Sequence, residues 1–241
     1  MTSPFPSDSP ADIATYYDDY STWYEGERRE GYYGLINDLE VGAIAPLARG
    51  RDVLEIGFGT GLILERTAAI ARTAVGVDLS AGMAGVSRRK GLAVAIASAT
   101  ALPFGEATFD LVYSCKVLPH VPDIRAALAE VARVLRPGGT AFVEFYNRRS
   151  FKALSYRLVT MRRSGEPVYV RHDDLESVRS YLPPDWAVDA VRGIRVLAPV
   201  RHVYAVPLFG RLLQRLERRL CDTRLGRRFG GYLLVRISRR P

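Results

Sequence analysis

Three glycines at alternate positions, Gly57, Gly59 and Gly61, close an apolar run, and an acid, Glu55, stands two residues ahead of the first. Glycines at the tip of a strand let bare backbone N–H groups approach a ligand that side chains would hold off. A carboxylate beside them can receive an ammonium group, which an amino-acid-bearing ligand presents. A second acid, Asp78, ends the next apolar run, at the edge where α/β sheets bind ligands, and it can accept from both hydroxyls of a ribose. The competing role for Asp78 is to cap a helix beginning near Ala81. Leu79 and Met83 follow closely enough to offer apolar surface to a nucleobase. The glycines do not fit the dinucleotide fingerprint G-x-G-x-x-G, whose last position holds Leu62. A nicotinamide-dependent oxidoreductase is disfavoured on that ground.

These groups need strand, turn and helix in that order, and the flanking sequence supplies the unit repeatedly. Asp52–Gly57, Thr73–Leu79, Leu92–Ser98 and Phe109–Ser114 read as strands, with helices at Leu62–Ala71 and Ala81–Lys90. In Asp123–Leu135 the residues Ile124, Ala127, Leu128, Val131 and Leu135 recur at the spacing of one helical face. Asp123 is placed to cap that helix and Pro137-Gly138-Gly139 to end it, before a fifth strand at Thr140–Tyr146. Strands apolar throughout and alternating with helices predict a parallel sheet covered on both faces. Residues 1–10 read as a disordered tail and residues 11–48 as two aromatic-rich helices. After residue 147 the pattern loosens, with helices near Phe151–Arg162, Asp174–Tyr181 and Leu208–Leu220 and strands within Trp186–Val196 and at Tyr232–Ile237.

With the glycine motif, the segments Gly76-Val-Asp-Leu-Ser80, Leu102-Pro-Phe104, Thr108-Phe-Asp-Leu-Val112, Leu118-Pro-His-Val-Pro-Asp123 and 130–139 form an ordered set. On these, residues 11–147 resemble the class I methyltransferases that use S-adenosylmethionine (SAM), of the ubiquinone/menaquinone-biosynthesis and small-molecule type. The resemblance implies an α/β Rossmann-like fold, a mostly parallel seven-stranded sheet with helices on both faces and an N-terminal helical lid. By position, residues 11–48 would be the lid, 49–147 the SAM-binding core, and 148–241 the rest of the same domain with acceptor-site insertions. It also implies that Glu55, Gly57, Phe58, Gly59 and Gly61 hold the methionine end of SAM, with Cys115 beside it. Asp78 would take the ribose, and Ser98, Ala99 and Thr100 would border the adenine. Tyr16 and Tyr24 correspond to lid tyrosines that approach the cofactor, and S-adenosylhomocysteine would be the product. An aromatic helix packed on the core explains Tyr16 and Tyr24 equally well.

Two positions depart from the family pattern. Ser98 stands where an acid usually accepts from the adenine amino group, and a neutral oxygen is the weaker acceptor. Lys116 stands where an apolar or aromatic residue is common; it is either an acceptor-recognition group or a lysine that snorkels to the surface, and the second is favoured. Methyl transfer from a sulfonium needs alignment more than activation, so a base is required only when the acceptor carries a proton. His120 fits that role by its type, and fits equally a role in satisfying backbone groups where the Asp123 helix begins.

The chain has 241 residues, 48% hydrophobic and 25% charged, with no run long enough for a membrane span and no secretory signal at the N-terminus. Two cysteines, Cys115 and Cys221, and three histidines without ligand spacing suggest neither a disulfide framework nor a metal site, which points to a cytoplasmic protein. Residues 1–147 carry a net −5 and residues 148–241 a net +13, and 31 of the 34 basic residues are Arg. On the C-terminal helix, Leu208, Phe209, Leu212, Leu213, Leu216 and Leu220 form a stripe beside Arg211, Arg215, Arg218 and Arg219. Packing against the sheet is the favoured reason, with contact to an anionic membrane surface as the alternative. The expected function is methyl transfer to a small-molecule acceptor. RNA as acceptor is the alternative raised by the basic half, although no aromatic-plus-basic RNA module is visible. A non-catalytic SAM-binding protein is the other.

Overall fold

A computed structural model describes residues 10–150, 153, 169–197, 204, 206 and 208–240. Two helices, α1 (Pro10–Arg28) and α2 (Gly31–Ala48), lead into β1 (Asp52–Ile56), α3 (Leu64–Ala68), β2 (Thr73–Asp78), α4 (Ala81–Arg89), β3 (Val94–Ile96) and β4 (Phe109–Ser114). A 3-10 turn (Leu118–His120), α5 (Ile124–Val134), β5 (Leu135–Tyr146) and α6 (Leu175–Tyr181) come next. The chain continues through β6 (Trp186–Ile194), α7 (Phe209–Leu220), α8 (Arg224–Phe229) and β7 (Tyr232–Arg239). The sheet order is β3-β2-β1-β4-β5-β7-β6. It is parallel except for β7, which runs antiparallel to both neighbours.

Side-chain alternation explains why helices cover both faces. Leu54, Ile56, Val112, Val143 and Val235 pack toward Ile124, Leu128 and Val131 of α5. Their neighbours Val53, Leu111, Phe142 and Leu234 pack toward Leu35, Ile36 and Leu39 of α2. Leu128 is fully buried, so its truncation to Ala costs about 2–5 kcal/mol. Asp123 caps α5 by accepting from Ala126 N at 2.9 Å, and Asp174 caps α6 by accepting from Ser177 N at 3.0 Å.

Three expectations change. Helix α5 stops at Val134, and Leu135 already opens β5, so Pro137-Gly138-Gly139 does not end a helix. Instead, residues 136–139 bulge out of β5, which pairs through Leu135 with Phe109 and resumes at Thr140 opposite Leu111. The stripe on α7 packs inward only in part: Leu208, Phe209, Leu212 and Leu216 are exposed, whereas Leu213 packs on the core with Leu234, beside the buried Gly210 and Glu217. The Glu217 carboxylate accounts for the difference, since it accepts from Val196 N at 2.6 Å and Leu197 N at 3.0 Å and so must face inward. Finally, α8 was not anticipated, being a single arginine-rich turn and a half without apolar periodicity. The helix expected at Phe151–Arg162 and the tail at 1–10 fall almost wholly outside the described residues. Among the described residues no helix is long and apolar enough to cross a membrane.

Candidate active site

Because β1 and β2 run in register, with Ile56 beside Val77, the glycine turn and Asp78 emerge together at one edge of the sheet. Gly57, Gly59 and Gly61 take φ values of 76°, 56° and 81°, the left-handed region that favours glycine. At Gly57 a Cβ would also meet Val117 Cγ2 at 2.0 Å. Asp78 ties the turn to the next helix: Oδ2 accepts from Gly59 N at 2.9 Å and Oδ1 from Ser80 N at 3.0 Å. The helix cap is Ser80, whose Oγ accepts from Met83 N at 3.0 Å, so the capping role does not belong to Asp78. Burial pushes the Asp78 pKa up, and the Ser80 and Gly59 amides pull it back. Phe58 and Met83 are buried with Leu64 and Ala84 beneath the turn, and Leu79 is half-buried. Ala97 N donates to Asp78 O at 3.0 Å, which brings Ser98, Ala99 and Thr100 alongside. There Ser98 Oγ accepts from Thr100 N at 3.2 Å and meets Thr100 Oγ1 at 2.8 Å, while Ala99 is buried.

Behind the turn lies a group of buried acids. Glu55 accepts from Tyr113 Oη at 2.9 Å, and that hydroxyl also meets Thr67 Oγ1 at 2.7 Å. Burial raises the Glu55 pKa well above the ordinary carboxylate value. One strand over, Lys116 is neither snorkelling nor exposed: its Nζ donates to both oxygens of Glu40, at 2.6 and 2.7 Å, and to Asn37 Oδ1 at 3.3 Å. Burial works against the ammonium, yet Glu40 and Glu144 outweigh it and hold its pKa above the ordinary lysine value. Lys116 takes a φ of 63°, a strained backbone for a residue with a side chain. Cys115, Glu40 and Glu144 bring three ligand-type atoms within 4.8 Å of one another, and the Lys116 ammonium is the cation already seated on Glu40. Burial raises the Cys115 thiol pKa well above its ordinary value.

Helix α1 covers the turn. Asp18 Oδ1 accepts from Gly82 N at 2.8 Å and from the Ser80 hydroxyl, which fastens α1 to the start of α4. Gly82 permits the approach, since a Cβ there would lie 2.8 Å from Ser21 Oγ and 3.0 Å from Asp18 Cα. The Tyr24 ring passes 3.8 Å from where a Gly59 Cβ would stand, and Arg28 lies over it at 4.9 Å. Tyr16 is on the exposed side, and it is Tyr17 that burial and neighbouring Asp78 affect, its pKa being raised by the first above all. Tyr17 and Asp18 were missed in the sequence, where the visible signal was an acid pair inside an aromatic helix.

His120 follows from the same turn, because His120 N donates to Val117 O at 2.8 Å and Val117 packs on Gly57. Its Nδ1 lies 2.9 Å from the Tyr169 carbonyl and its Nε2 3.2 Å from Tyr146 Oη. A carbonyl only accepts, so Nδ1 carries the proton and Nε2 of the neutral ring accepts from Tyr146. These partners replace the backbone groups of α5 that the sequence offered for His120. Arg171 steadies the segment, donating to Val121 O at 3.1 Å, Leu118 O at 3.3 Å and Asp173 Oδ2 at 3.0 Å. No sequence pattern pointed to Arg171 or Tyr146, which are brought in by pairings far along the chain.

Comparison with known proteins decides the family. The family described as "Methyltransferase domain" matches residues 54–143, from β1 to β5. A ubiquinone biosynthesis O-methyltransferase of Thiobacillus denitrificans is 32% identical over 161 residues, covering 63% of this chain and 68% of that protein. The chain belongs to the class I SAM-dependent methyltransferases. A second ubiquinone biosynthesis O-methyltransferase, from Methylococcus capsulatus, is 34% identical over 117 residues, 46% of this chain, and the match spans about half of that relative, 49%. An O-methyltransferase of Penicillium expansum is 36% identical over 183 residues, 71% of this chain and 66% of its own. In structure, the magnesium protoporphyrin IX methyltransferase of Synechocystis, with S-adenosylhomocysteine bound, superposes with a TM-score of 0.67 at 14% identity. The match covers 96% of this chain and all of that one, and it bears on the fold. The described site suits the family's cofactor: glycines alone fit at 57 and 61, where a Cβ would strike Val117 or Leu92, and the buried Glu55 and half-buried Asp78 flank the turn.

Proposed function

We propose that the protein transfers a methyl group from SAM to a hydroxyl of a small-molecule acceptor. When bound, SAM supplies a methyl group already activated on a sulfonium. The turn of residues 57–61 would lie against its amino-acid end, and the Glu55 and Asp78 carboxylates would hold its amino-acid and ribose ends. Helix α1, fastened by Asp18, keeps water from the turn. The observation that carries the reading is Asp78 bridging the Gly59 and Ser80 amides under that lid, inside the segment that matches the family. The O-acceptor is supported by His120 and by the similarity to O-methyltransferases. A hydroxyl must lose its proton during attack, and Nε2 of His120 is oriented to take one through Tyr146 Oη. Burial raises the Tyr146 pKa well above its ordinary value, so Tyr146 relays a proton and does not rest as a phenolate.

The test is incubation of the protein with methyl-labelled SAM and a fractionated extract. Label in an alkali-stable small-molecule fraction supports the reading. Label removed by ribonuclease would replace it with RNA methylation, and SAM binding without any labelled product would replace it with a binding role. Asp78→Ala is expected to lose SAM and S-adenosylhomocysteine binding in calorimetry.

A further inference from the structure

A cavity of about 360 Å³ opens beside the end of β5, lined by Arg149, Arg179, Arg224, Arg227 and Arg228. Asp174 and Glu176 are the acids in its wall, so the lining carries a net charge of +3. Asp174 is already engaged: Oδ1 accepts from Ser177 N at 3.0 Å, and Oδ2 lies 3.7 Å from Arg148 and 3.6 Å from Arg149. Arg179, Arg224, Arg227 and Arg228 make no salt bridge with another described residue.

The five arginine side chains are exposed, while the backbone that carries four of them is fixed by the fold. Thr223 caps α8 by accepting from Gly226 N at 3.1 Å, and Arg224, Arg227 and Arg228 then fall on one helical face. Helix α8 is pressed onto β6 so closely that a Cβ on Gly193 would lie 1.8 Å from Gly226 O. One buried side chain serves both walls. Asn147 Nδ2 donates to Arg228 O at 3.0 Å and Gly230 O at 2.9 Å, while Asn147 Oδ1 accepts from Arg149 N at 3.0 Å. Five guanidinium groups around one cavity suit a multiply charged anion, and guanidinium forks match phosphate oxygens two at a time. The volume lies in the range of about 300–1,000 Å³ typical of small-molecule sites.

We propose that this cavity binds a phosphate-bearing ligand. On the methyltransferase reading above, on which this part rests, that ligand is the anionic end of the acceptor. The wall joins the candidate active site, since Asn147 directly follows Tyr146, the partner of His120, and bridges to Asp173 beside Arg171.

The probe is pyrophosphate, titrated calorimetrically into the full chain in phosphate-free buffer. Saturable binding is expected, weakened at least tenfold in Arg224→Gln/Arg227→Gln and changed less than twofold in Arg211→Gln/Arg215→Gln. No saturable binding overturns the proposal, and so does an equal loss in both double variants, which would mean bulk charge alone. SAM titrated into the parent and the variants is expected to bind equally, so absence of saturable pyrophosphate binding to the parent with SAM binding intact fails this proposal and leaves the methyltransferase reading standing. Sedimentation with phosphatidic acid vesicles separates the sources. Capture that needs Arg224 and Arg227 assigns a lipid headgroup, whereas pyrophosphate binding without capture assigns a soluble ester.

Discussion

Replacing Lys116 with Met removes the ammonium from a carboxylate that has nowhere else to turn. Glu40 is 0% exposed and the Lys116 side chain 14%, so water reaches one partner and not the other. Breaking one side of such a pair costs about 3–5 kcal/mol, because the remaining charge stays buried. For a chain of this size each kcal/mol moves Tm by about 2–4 °C, so Lys116→Met is expected to melt roughly 6–20 °C lower. The left-handed backbone at 116 does not confuse the comparison, since Met and Lys suffer there alike. Lys116→Met/Glu40→Leu is expected to recover to parental stability or above, because a buried ion pair is often no better than apolar packing. The raised Lys116 pKa fixes the pH window. The pair's contribution is complete below the ordinary lysine value of about 10.4 and is lost only as pH climbs through the higher folded value. Urea unfolding of the four proteins between about pH 6 and pH 9 should therefore give a constant deficit for the single variant. A deficit under about 1 kcal/mol would mean that Lys116 reaches solvent, as the sequence alone suggested.

Gly57→Ala places a methyl group 2.0 Å from Val117 Cγ2 on left-handed backbone, and a loss of about 1–3 kcal/mol is expected in thermal unfolding. Gly57→Ala/Val117→Ala should regain part of that loss, and its failure to do so would locate the problem in the backbone alone. His120→Asn is expected to lower kcat by about 10²–10⁴-fold while SAM affinity stays within error, read by labelled methyl transfer and calorimetry. A parallel loss of SAM binding would make His120 structural. Asp18→Asn weakens the contact of α1 with Ser80 and Gly82, and faster release of S-adenosylhomocysteine in stopped flow is the expected sign.

The parts of the fold that the sequence revealed are those decided locally. Asp123 and the apolar face of α5 announce themselves through spacing and cap chemistry, and the strand-turn-helix unit around Gly57 through residue type. What escaped was decided at a distance. Nothing near Lys116 tells that Glu40, 76 residues earlier, will meet it, nor that Tyr169 and Tyr146 will orient His120. The α7 stripe misled because periodicity records which residues share a face, and a single buried acid, Glu217, turned the interior face away from most of the stripe. The helix of α1 was legible in the sequence, but an exposed Tyr16 beside a half-buried Tyr17 depends on a helical phase that composition does not fix.

The two edges of the sheet handle acids in opposite ways, and the difference makes a further demand on the cofactor reading. At the edge where β1 begins, Arg136 Nη1 donates to Asp52 Oδ2 at 2.9 Å and Asp110 Oδ1 at 2.8 Å, and hydrogen bonds from Arg72 above all hold the Asp52 pKa below the usual carboxylate range. At the edge where β1 ends, burial drives the Glu55 and Asp78 pKa values upward instead. Such groups contribute fully to stability below the ordinary carboxylate range and lose that contribution as pH rises through their folded values. A cation placed beside them reverses the penalty. SAM carries a positive sulfonium that its demethylated product lacks, and one charge several ångström from a carboxylate is worth about 2 kcal/mol at an effective dielectric near 20. The ratio of SAM to S-adenosylhomocysteine affinity should therefore rise as pH climbs above the ordinary carboxylate range, by up to about thirtyfold, and lose this slope in Glu55→Gln/Asp78→Asn. A ratio that stays flat over that climb would show that the two acids do not face the sulfonium end of the ligand at all.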